Sequence, residues 1–352
     1  MSQRNTGIDI LRVISILLVI IIHASFLFPR GIKENFVERL YLVDGVSLFF
    51  SISGYLMAVI LFKPHKAKGA TFASNFIVRR WFRTLPAYYT IIVGLALFQI
   101  CYYGFSEFTP GYLVFAQNLW VYPSKFYVES WSLSVEEISY FLMLCLWAVA
   151  HKTGKAQVYK ISIAVIIAFA LIRAGAYFFA ESSIPQLDTR KGALFRLDAL
   201  FYGVLAYMAA EKLKSRQGFA WLSLLLVVNY FLNQFAPDGL SRVYKYTLCS
   251  TVEGFIGMLA VCVFVNADFS KIGKWKYFAE RSADHAYVLY LLHYTPIINC
   301  AMPILLEHYK LSSLAVKLVI YSISLVAAAW LLRKLIERPL LVFRNRHFPA
   351  LV

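Results

Sequence analysis

The first apolar run of the chain contains ionisable residues whose spacing suits chemistry. Asp9 and Arg12 lie three residues apart near its start, and His23 follows eleven residues after Arg12. Eleven residues make close to three helical turns, so Arg12 and His23 share one face, roughly 16 Å apart along the axis. Asp9 is near enough to orient Arg12. A neutral histidine can act as a general base toward a hydroxyl, or as a nucleophile that carries a transferred group.

Later apolar segments carry further ionisable residues at a comparable depth. Charged groups inside a membrane cost a few kcal/mol each, so they should face the bundle interior or a wet cavity and mark a site. Some must be structural pairs, for example a glutamate of the fourth segment with Arg173 or Arg196. The residues are Glu136 and Glu137 in the fourth segment, Arg173 in the fifth, Arg196 and Asp198 just inside the sixth, Glu253 in the eighth and His293 in the ninth.

A basic stretch, residues 63–84, contains no acidic residue. Its three lysines fit the excess of positive charge usual in cytoplasmic loops. Arg80 and Arg83 differ, because they share a helical face at the start of the third apolar segment and guanidinium groups suit bidentate phosphate binding. A phosphorylated donor with a long thin arm could join this basic opening to the deep polar layer. Coenzyme A has that shape.

The composition decides which class of protein must position these residues. Of 352 residues, 60% are hydrophobic and 15% are charged, whereas soluble domains carry about 25% charged residues. The formal net charge of +16 lies mainly in short loops beside apolar segments, which favours a membrane surface over nucleic acid as the partner. The five cysteines have no paired spacing, so neither a disulfide framework nor a metal site is expected.

Ten segments are mostly apolar and of about the length that crosses the hydrocarbon core of a bilayer. We therefore predict an all-α integral membrane protein with about ten transmembrane helices. No long polar stretch separates the segments, so residues 1–352 are predicted to form one transmembrane domain. The segments are 8–28, 44–62, 85–103, 131–150, 160–180, 194–210, 218–235, 247–265, 285–306 and 314–333.

The distribution of Lys and Arg predicts the orientation. With the N-terminus in the cytoplasm, 22 of the 35 basic residues fall on the cytoplasmic side and nine in the outer loops. Cytoplasmic loops usually carry the excess of positive charge. Both termini are therefore predicted to be cytoplasmic, as an even number of helices requires.

Seven short motifs occur in order along these segments. They are Gly7 to His23 with an Arg and a His separated by ten residues, Phe49 to Leu56, Arg79 to Pro86 with R-x-x-R at Arg80 and Arg83, Ser130 to Glu137, Arg196 to Gly203, Tyr290 to Tyr294, and Glu337 to Pro339. Together they resemble the acyltransferase type-3 family of bacterial membrane acyltransferases, and the likeness runs over essentially the whole chain.

This resemblance implies a function and a location. Family members take an acyl group, usually acetyl from acetyl-CoA, on the cytoplasmic side of the bacterial cytoplasmic (inner) membrane. They pass it to a hydroxyl at or beyond the outer face. The acceptors are mostly glycans or glycolipids of the cell surface, such as O-antigen, exopolysaccharide, capsule or peptidoglycan. The expected partners are therefore acyl-CoA, a glycan acceptor and membrane lipid, without nucleic acid or a metal.

The resemblance also gives candidate site residues. His23 is the catalytic candidate, to which we add Glu136 from the deep layer. The other candidates fall into two groups. Donor binding is assigned to Asp9, Arg12, Arg80 and Arg83, and acceptor binding to Glu129, Trp131, Glu137, Arg196, Asp198 and His293.

Two features depart from family patterns. Many relatives have a His two residues before the Trp of the fourth segment, where this chain has Glu129, which puts the acceptor or the proton transfer in doubt. Some relatives carry an extra hydrolase-like domain, for which this chain is expected to have no room.

Other functions stay open at this point. The chain could act on a small molecule, use succinyl instead of acetyl, or transport a lipid, glycan or acyl group without chemistry. For Arg12 and His23, the alternative interpretation is that Arg12 reaches the headgroups and His23 only packs between helices. The oligomeric state is not predicted.

Overall fold

The computed structural model describes residues 4–29, 31–32, 41–62, 70–119, 125–180, 189–213, 215–310 and 312–349. These residues form thirteen α-helices joined by short 3₁₀ and π turns, and the described part of the chain contains no strand. The helices are α1 Thr6–Ala24, α2 Gly45–Leu61, α3 Ala70–Tyr103, α4 Trp131–Thr153, α5 Lys155–Gly175, α6 Phe201–Ala209, α7 Ser215–Gln234, α8 Asp238–Thr247, α9 Cys249–Asn266, α10 Lys274–Leu292, α11 Met302–His308, α12 Leu314–Leu332 and α13 Arg338–His347.

The prediction of an all-helical membrane protein is confirmed, whereas the count of ten spans is not. Six stretches of the described residues are long and apolar enough to cross a membrane, or seven if α10 and α11 count as one bent span. Helix α2 falls just short with 17 residues. Helix α6 has only nine residues, too few to span the hydrocarbon core.

Three segments differ from their predicted bounds. Helix α3 begins at Ala70, fifteen residues before the predicted start at residue 85, so Arg80 and Arg83 lie inside a helix that continues through Pro86. The sixth segment forms α-helix only from Phe201, and Arg196 and Asp198 lie in the turns that precede it. The side chains of Arg196 and Asp198 bind residues of other helices. These contacts hold the chain in turns at positions where the apolar pattern predicts helix.

The ninth segment is bent in its middle. Helix α10 ends at Leu292, and a π-helix, Thr295–Ala301, leads into α11 at an angle of 46°. The hydroxyl of Tyr127 donates to the carbonyl of Leu291 at 2.7 Å, and that of Tyr321 to the carbonyl of His293 at 3.2 Å. His293 therefore lies at a break in the helix. Tyrosine hydroxyls donate hydrogen bonds to two of the backbone carbonyls at this break.

Helices α2 and α6 approach one another closely through two glycines of the sequence motifs. A Cβ atom on Gly54 would lie 1.9 Å from the carbonyl oxygen of Leu200, and one on Gly203 would lie 2.1 Å from that of Ser51. Small residues allow such backbone contact between membrane helices. The contact fixes the position of α2, which forms one wall of the site.

Candidate functional site

His23 and His293 lie side by side, and we call them the histidine pair. Their ring centroids are 4.8 Å apart in an edge-to-face arrangement. Nδ1 of His23 donates to the carbonyl of Val19 at 2.8 Å, and Nδ1 of His293 donates to that of Tyr290 at 2.6 Å. Because a carbonyl can only accept, both rings carry the proton on Nδ1, and in the neutral form of each ring Nε2 has a lone pair.

The second nitrogen of His293 is unusual among buried polar atoms. The residue is fully buried, and its Nε2 has no hydrogen-bond partner among the described residues. Aromatic side chains enclose the pair, with the ring centroid of Tyr294 lying 5.1 Å and that of Phe26 6.2 Å from His23. Buried polar groups without partners are rare, and they mark places where a ligand or a reaction supplies the missing contact.

Glu129 holds the break beside the histidine pair. Its carboxylate accepts a hydrogen bond from the backbone N–H of Thr295 at 2.8 Å and another from the Thr295 hydroxyl. Its backbone carbonyl accepts from the hydroxyl of Tyr290 at 2.9 Å. Glu129 thus contacts residues on both sides of His293, and both carboxylate oxygens are engaged within the protein.

A cavity, which we call the deep cavity, lies between α1, α2, α3, α4 and α10. Its empty volume is about 790 Å³ when the open space at its edge is included. Tyr290 lines this cavity, and its ring centroid is 5.4 Å from that of His293. The deep cavity therefore reaches a residue in contact with the histidine pair. Its charged lining residues are Arg12, Arg80, Arg83 and Glu136, and its aromatic ones are Phe49, Phe50, Tyr140, Tyr287 and Tyr290.

A second cavity, the mouth cavity, adjoins it at the N-terminal end of α1. Its empty volume is about 1190 Å³ when the open space at its edge is included. The two cavities have Arg12, Leu56, Arg83 and Ala283 in common, so they lie directly next to one another. The charged residues that line the mouth cavity are Arg4, Asp9, Arg12, Arg83, Asp284, Arg333, Glu337 and Arg344.

Three arginines of the mouth cavity form ion pairs. Arg12 lies 3.3 Å from Asp9, as the sequence predicts, and Arg4 pairs with Asp9 and with Asp284. Arg333 lies 3.3 Å from Asp284 and 3.2 Å from Glu337.

Three other arginines of the two cavities form no ion pair with any described residue. Arg80 stacks on the ring of Tyr140 at 4.5 Å, and its buried Nε has no hydrogen-bond partner among the residues that the structure describes. Arg83 makes no hydrogen bond within the described part of the chain, and Arg344 bonds only to neutral groups. Such uncompensated guanidinium groups suit a ligand with several negative charges. The basic residues Lys63, Lys66 and Lys68 lie outside the described residues.

The two glutamates of α4 lie with the arginines and away from the histidine pair. Glu136 accepts hydrogen bonds from Ser53 and Tyr140, each at 2.9 Å. Glu137 accepts from Trp81 at 3.1 Å and from Thr84 at 3.2 Å. The expected single layer of histidine, carboxylate and arginine is therefore divided, because α4 directs both carboxylates toward α2 and α3.

The remaining charges of that layer form a separate cluster. Arg173 makes two hydrogen bonds of 2.9 Å to Asp198, and both side chains are almost fully buried. The expected pairing of Arg173 or Arg196 with a glutamate of α4 is thus wrong. Arg196 donates to Ser47 at 2.9 Å and Ser250 at 3.1 Å, and packs near the ring of Trp131. We call Arg173, Arg196, Asp198 and Glu253 the ion-pair cluster.

Sequence reasoning missed several residues of the cavities. Ser53 and Tyr290 lie within recognised motifs but carry no ionisable group that would stand out at membrane depth. Arg4, Arg333 and Arg344 were counted only as positive charge at the cytoplasmic ends of helices. Their clustering around one cavity depends on contacts between distant parts of the chain. The roles assigned to the site residues stay predictions.

Comparison with known proteins agrees with the motifs. A family model described as an acyltransferase domain matches residues 5–334. The chain is 24% identical over 332 residues to the peptidoglycan O-acetyltransferase OatA of Listeria monocytogenes, a match that covers 85% of this chain and 50% of the relative. It is 26% identical over 145 residues to a Staphylococcus aureus (strain COL) protein provisionally named as an O-acetyltransferase, covering 41% of this chain and 21% of that protein.

The chain thus spans about half the length of the Listeria relative, and the Staphylococcus match covers about a fifth of that protein. No solved structure matches the chain.

Proposed function

Because the chain belongs to the acyltransferase type-3 family, we propose that it is a membrane-embedded O-acyltransferase. It moves an acetyl group from acetyl-CoA to a hydroxyl of a cell-surface glycan, such as O-antigen or exopolysaccharide. Peptidoglycan is a further candidate acceptor, because the name of the Listeria relative gives that substrate. The donor enters from the cytoplasm, and the protein lies in the bacterial cytoplasmic membrane with both termini inside.

The adjacency of the two cavities carries this proposal. The path begins among arginines and ends at Tyr290, which packs against His293. A coenzyme A thioester has negative phosphates at one end and its reactive carbonyl at the end of a long neutral arm. Phosphates beside Arg80 and Arg83 would leave the arm to run through the deep cavity toward the histidine pair. Arg12, held by Asp9, lies where the two cavities meet and positions the donor.

The reaction needs a base at the far end of this path. Nε2 of His23 has a lone pair, since Nδ1 donates to Val19. It takes the proton of the acceptor hydroxyl while the hydroxyl oxygen attacks the thioester carbon. The carbon–sulfur bond then breaks, and the coenzyme A thiolate leaves and takes up the proton. An acyl-histidine route would use the same lone pair, with His23 attacking the thioester first.

The other candidate residues take supporting roles in this proposal. Glu136 lies in the deep cavity with both oxygens accepting hydrogen bonds, so it acts on the donor side of the path. His293 and Trp131 are placed toward the acceptor. The remaining candidates for acceptor binding, Glu129, Glu137, Arg196 and Asp198, have their charged groups bound within the protein.

Transfer of labelled acetyl tests the proposal directly. Purified protein in lipid vesicles receives radiolabelled acetyl-CoA and an extract of surface glycans, beside the His23→Ala variant. Label on glycan with the unchanged protein alone supports the enzyme and identifies the acceptor fraction. Binding of acetyl-CoA without transfer to any glycan fraction would rule out a glycan acceptor. Failure to bind acetyl-CoA would rule out the donor and favour a transporter.

A further inference from the structure

Helix α13 closes one side of the mouth cavity. Leu341 and Arg344 line the cavity from this helix. Both residues lie beyond residue 334, where the match to the acyltransferase family model ends. The match to the family model therefore says nothing about what Leu341 and Arg344 contribute.

Helix α13 and the residues after it are docked on α3. Arg79 donates to the backbone carbonyl of Phe348, and Arg344 donates to that of Arg79 at 3.3 Å. The ring of Phe82 packs against Phe343 and Phe348, with both centroid distances at 5.7 Å. These contacts hold Arg344 beside the R-x-x-R motif of α3.

Arg344 lies in an environment of positive charge. Arg79, Arg80 and Arg83 all act electrostatically on its guanidinium group. The opposing charge that acts on Arg344 is that of Glu337, whose carboxylate is bound by Arg333. Within the described part of the chain, Arg344 itself bonds only to the side chain of Asn345 and the carbonyl of Arg79. Holding several partly buried guanidinium groups together costs free energy unless an anion joins them.

The uncompensated arginines follow an order along the path. Arg80 lines only the deep cavity, Arg83 lines both cavities, and Arg344 lines only the mouth cavity. Coenzyme A has a matching order when its thioester points inward. After the pantetheine arm comes the pyrophosphate, and beyond it the ribose with its 3′-phosphate.

We propose that Arg344 binds the 3′-phosphate of the coenzyme A donor, so that α13 makes the enzyme select the fully phosphorylated nucleotide. Arg80 and Arg83 then bind the pyrophosphate. This proposal rests on the proposed function, because it takes an acyl-coenzyme A as the donor.

Binding of two donors to the full-length protein in detergent tests the proposal. Acetyl-CoA and acetyl-dephospho-CoA, which lacks only the 3′-phosphate, are titrated against the unchanged protein, Arg344→Ala and Arg344→Gln. Glutamine can still donate to the carbonyl of Arg79, so this variant keeps the docking contact without the charge. Arg346→Ala is the control, because Arg346 is exposed on the same helix and lines neither cavity.

The unchanged protein should bind acetyl-CoA about tenfold more tightly than acetyl-dephospho-CoA, as expected for one charge-assisted phosphate contact. Both Arg344 variants should lose this preference by weakening acetyl-CoA alone, while Arg346→Ala keeps it. Equal weakening of both donors would mean that Arg344 only holds α13 in place, and unchanged affinities would also overturn the proposal. If the unchanged protein binds neither donor, the proposed function itself fails.

Discussion

The bundle contains two groups of charged residues that differ in burial and in how completely their hydrogen bonds and charges are satisfied. In the ion-pair cluster, Arg173 binds both oxygens of Asp198 and also the hydroxyl of Thr251. Glu253 accepts hydrogen bonds from Tyr41 and Ser47. Along the two cavities, by contrast, Arg80 keeps a buried Nε without a partner and Arg83 has no hydrogen bond with described residues.

Together with burial, this difference distinguishes the residues that hold the structure from those that can bind a ligand. A buried ion pair offsets its desolvation cost only when its geometry is good and its other hydrogen bonds are made. The ion-pair cluster meets that condition, and neither cavity reaches it, so its charges hold helices together. Among the described residues, Arg80 and Arg83 have no ion-pair partner and Nε2 of His293 has no hydrogen-bond partner, which leaves these groups available to a ligand. Four substitutions test this distinction.

The largest effect is expected at the histidine pair. His23→Ala should lower acetyl transfer by about 10²–10⁴-fold, because the base for the acceptor hydroxyl is lost. Stability and acetyl-CoA affinity should stay close to those of the unchanged protein. His285→Ala is a matched control, since Nδ1 of His285 also donates to a carbonyl four residues earlier, but the residue lies in neither cavity. Loss of folding on His23→Ala would show that its role is structural.

Breaking the ion-pair cluster should lower the stability of the protein without changing its affinity for the donor. Arg173→Ala leaves Asp198 buried without its partner, so the free energy of unfolding should fall by about 3–5 kcal/mol. Denaturation in detergent micelles measures this loss. The double change Arg173→Met with Asp198→Leu should recover most of it, because no lone charge remains. A single variant as stable as the unchanged protein would contradict the structural role.

The cavity arginines should show the opposite behaviour. Arg80→Ala with Arg83→Ala should weaken acetyl-CoA binding by roughly ten- to a hundredfold through loss of two phosphate contacts. Stability should not fall, because these guanidinium groups form no ion pair with described residues. Calorimetric titration measures the affinity. Arg216→Ala is the control for net charge, since Arg216 is exposed on α7, and unchanged binding in the double variant would refute the assignment.

The smallest effect is expected at Glu129. Glu129→Gln weakens the hydrogen bonds to Thr295 that position His293, so the turnover rate should fall by roughly five- to tenfold while donor affinity stays the same. Thr295→Val should have a similar effect, and the two changes together should cost little more than one. If Glu129 instead binds the acceptor, Glu129→Gln alone would raise the KM for the acceptor, which separates the two roles.

The sequence predicts local relations well and distant ones poorly. The pairing of Asp9 with Arg12 and the shared position of Arg80 and Arg83 follow from helical spacing, and the structure has both. The partner of Arg173 does not follow, because Asp198 reaches it from a turn where the apolar pattern predicts helix. The hydrophobic pattern does not predict the bend at His293, because the residues of the π-helix are as apolar as those of an α-helix.

The sequence predicts least about the positions of residues that lie outside the apolar pattern. Arg344 is one of several basic residues near the C-terminus, and nothing in its neighbours distinguishes it from Arg346. Only the docking of α13 on α3 gives it a position in the mouth cavity. Positive charge expected at a membrane surface can therefore include residues that face a ligand.

The bend between α10 and α11 has a mechanical consequence. A helix break usually behaves as a hinge, because its unpaired backbone groups tolerate several geometries. Here Tyr127 and Tyr321 donate to carbonyls beside the break, and Glu129 accepts from the N–H of Thr295. Hydrogen bonds from three side chains therefore make the bend rigid, so His293 keeps a fixed position in the bundle. His23 packs against this fixed residue from α1.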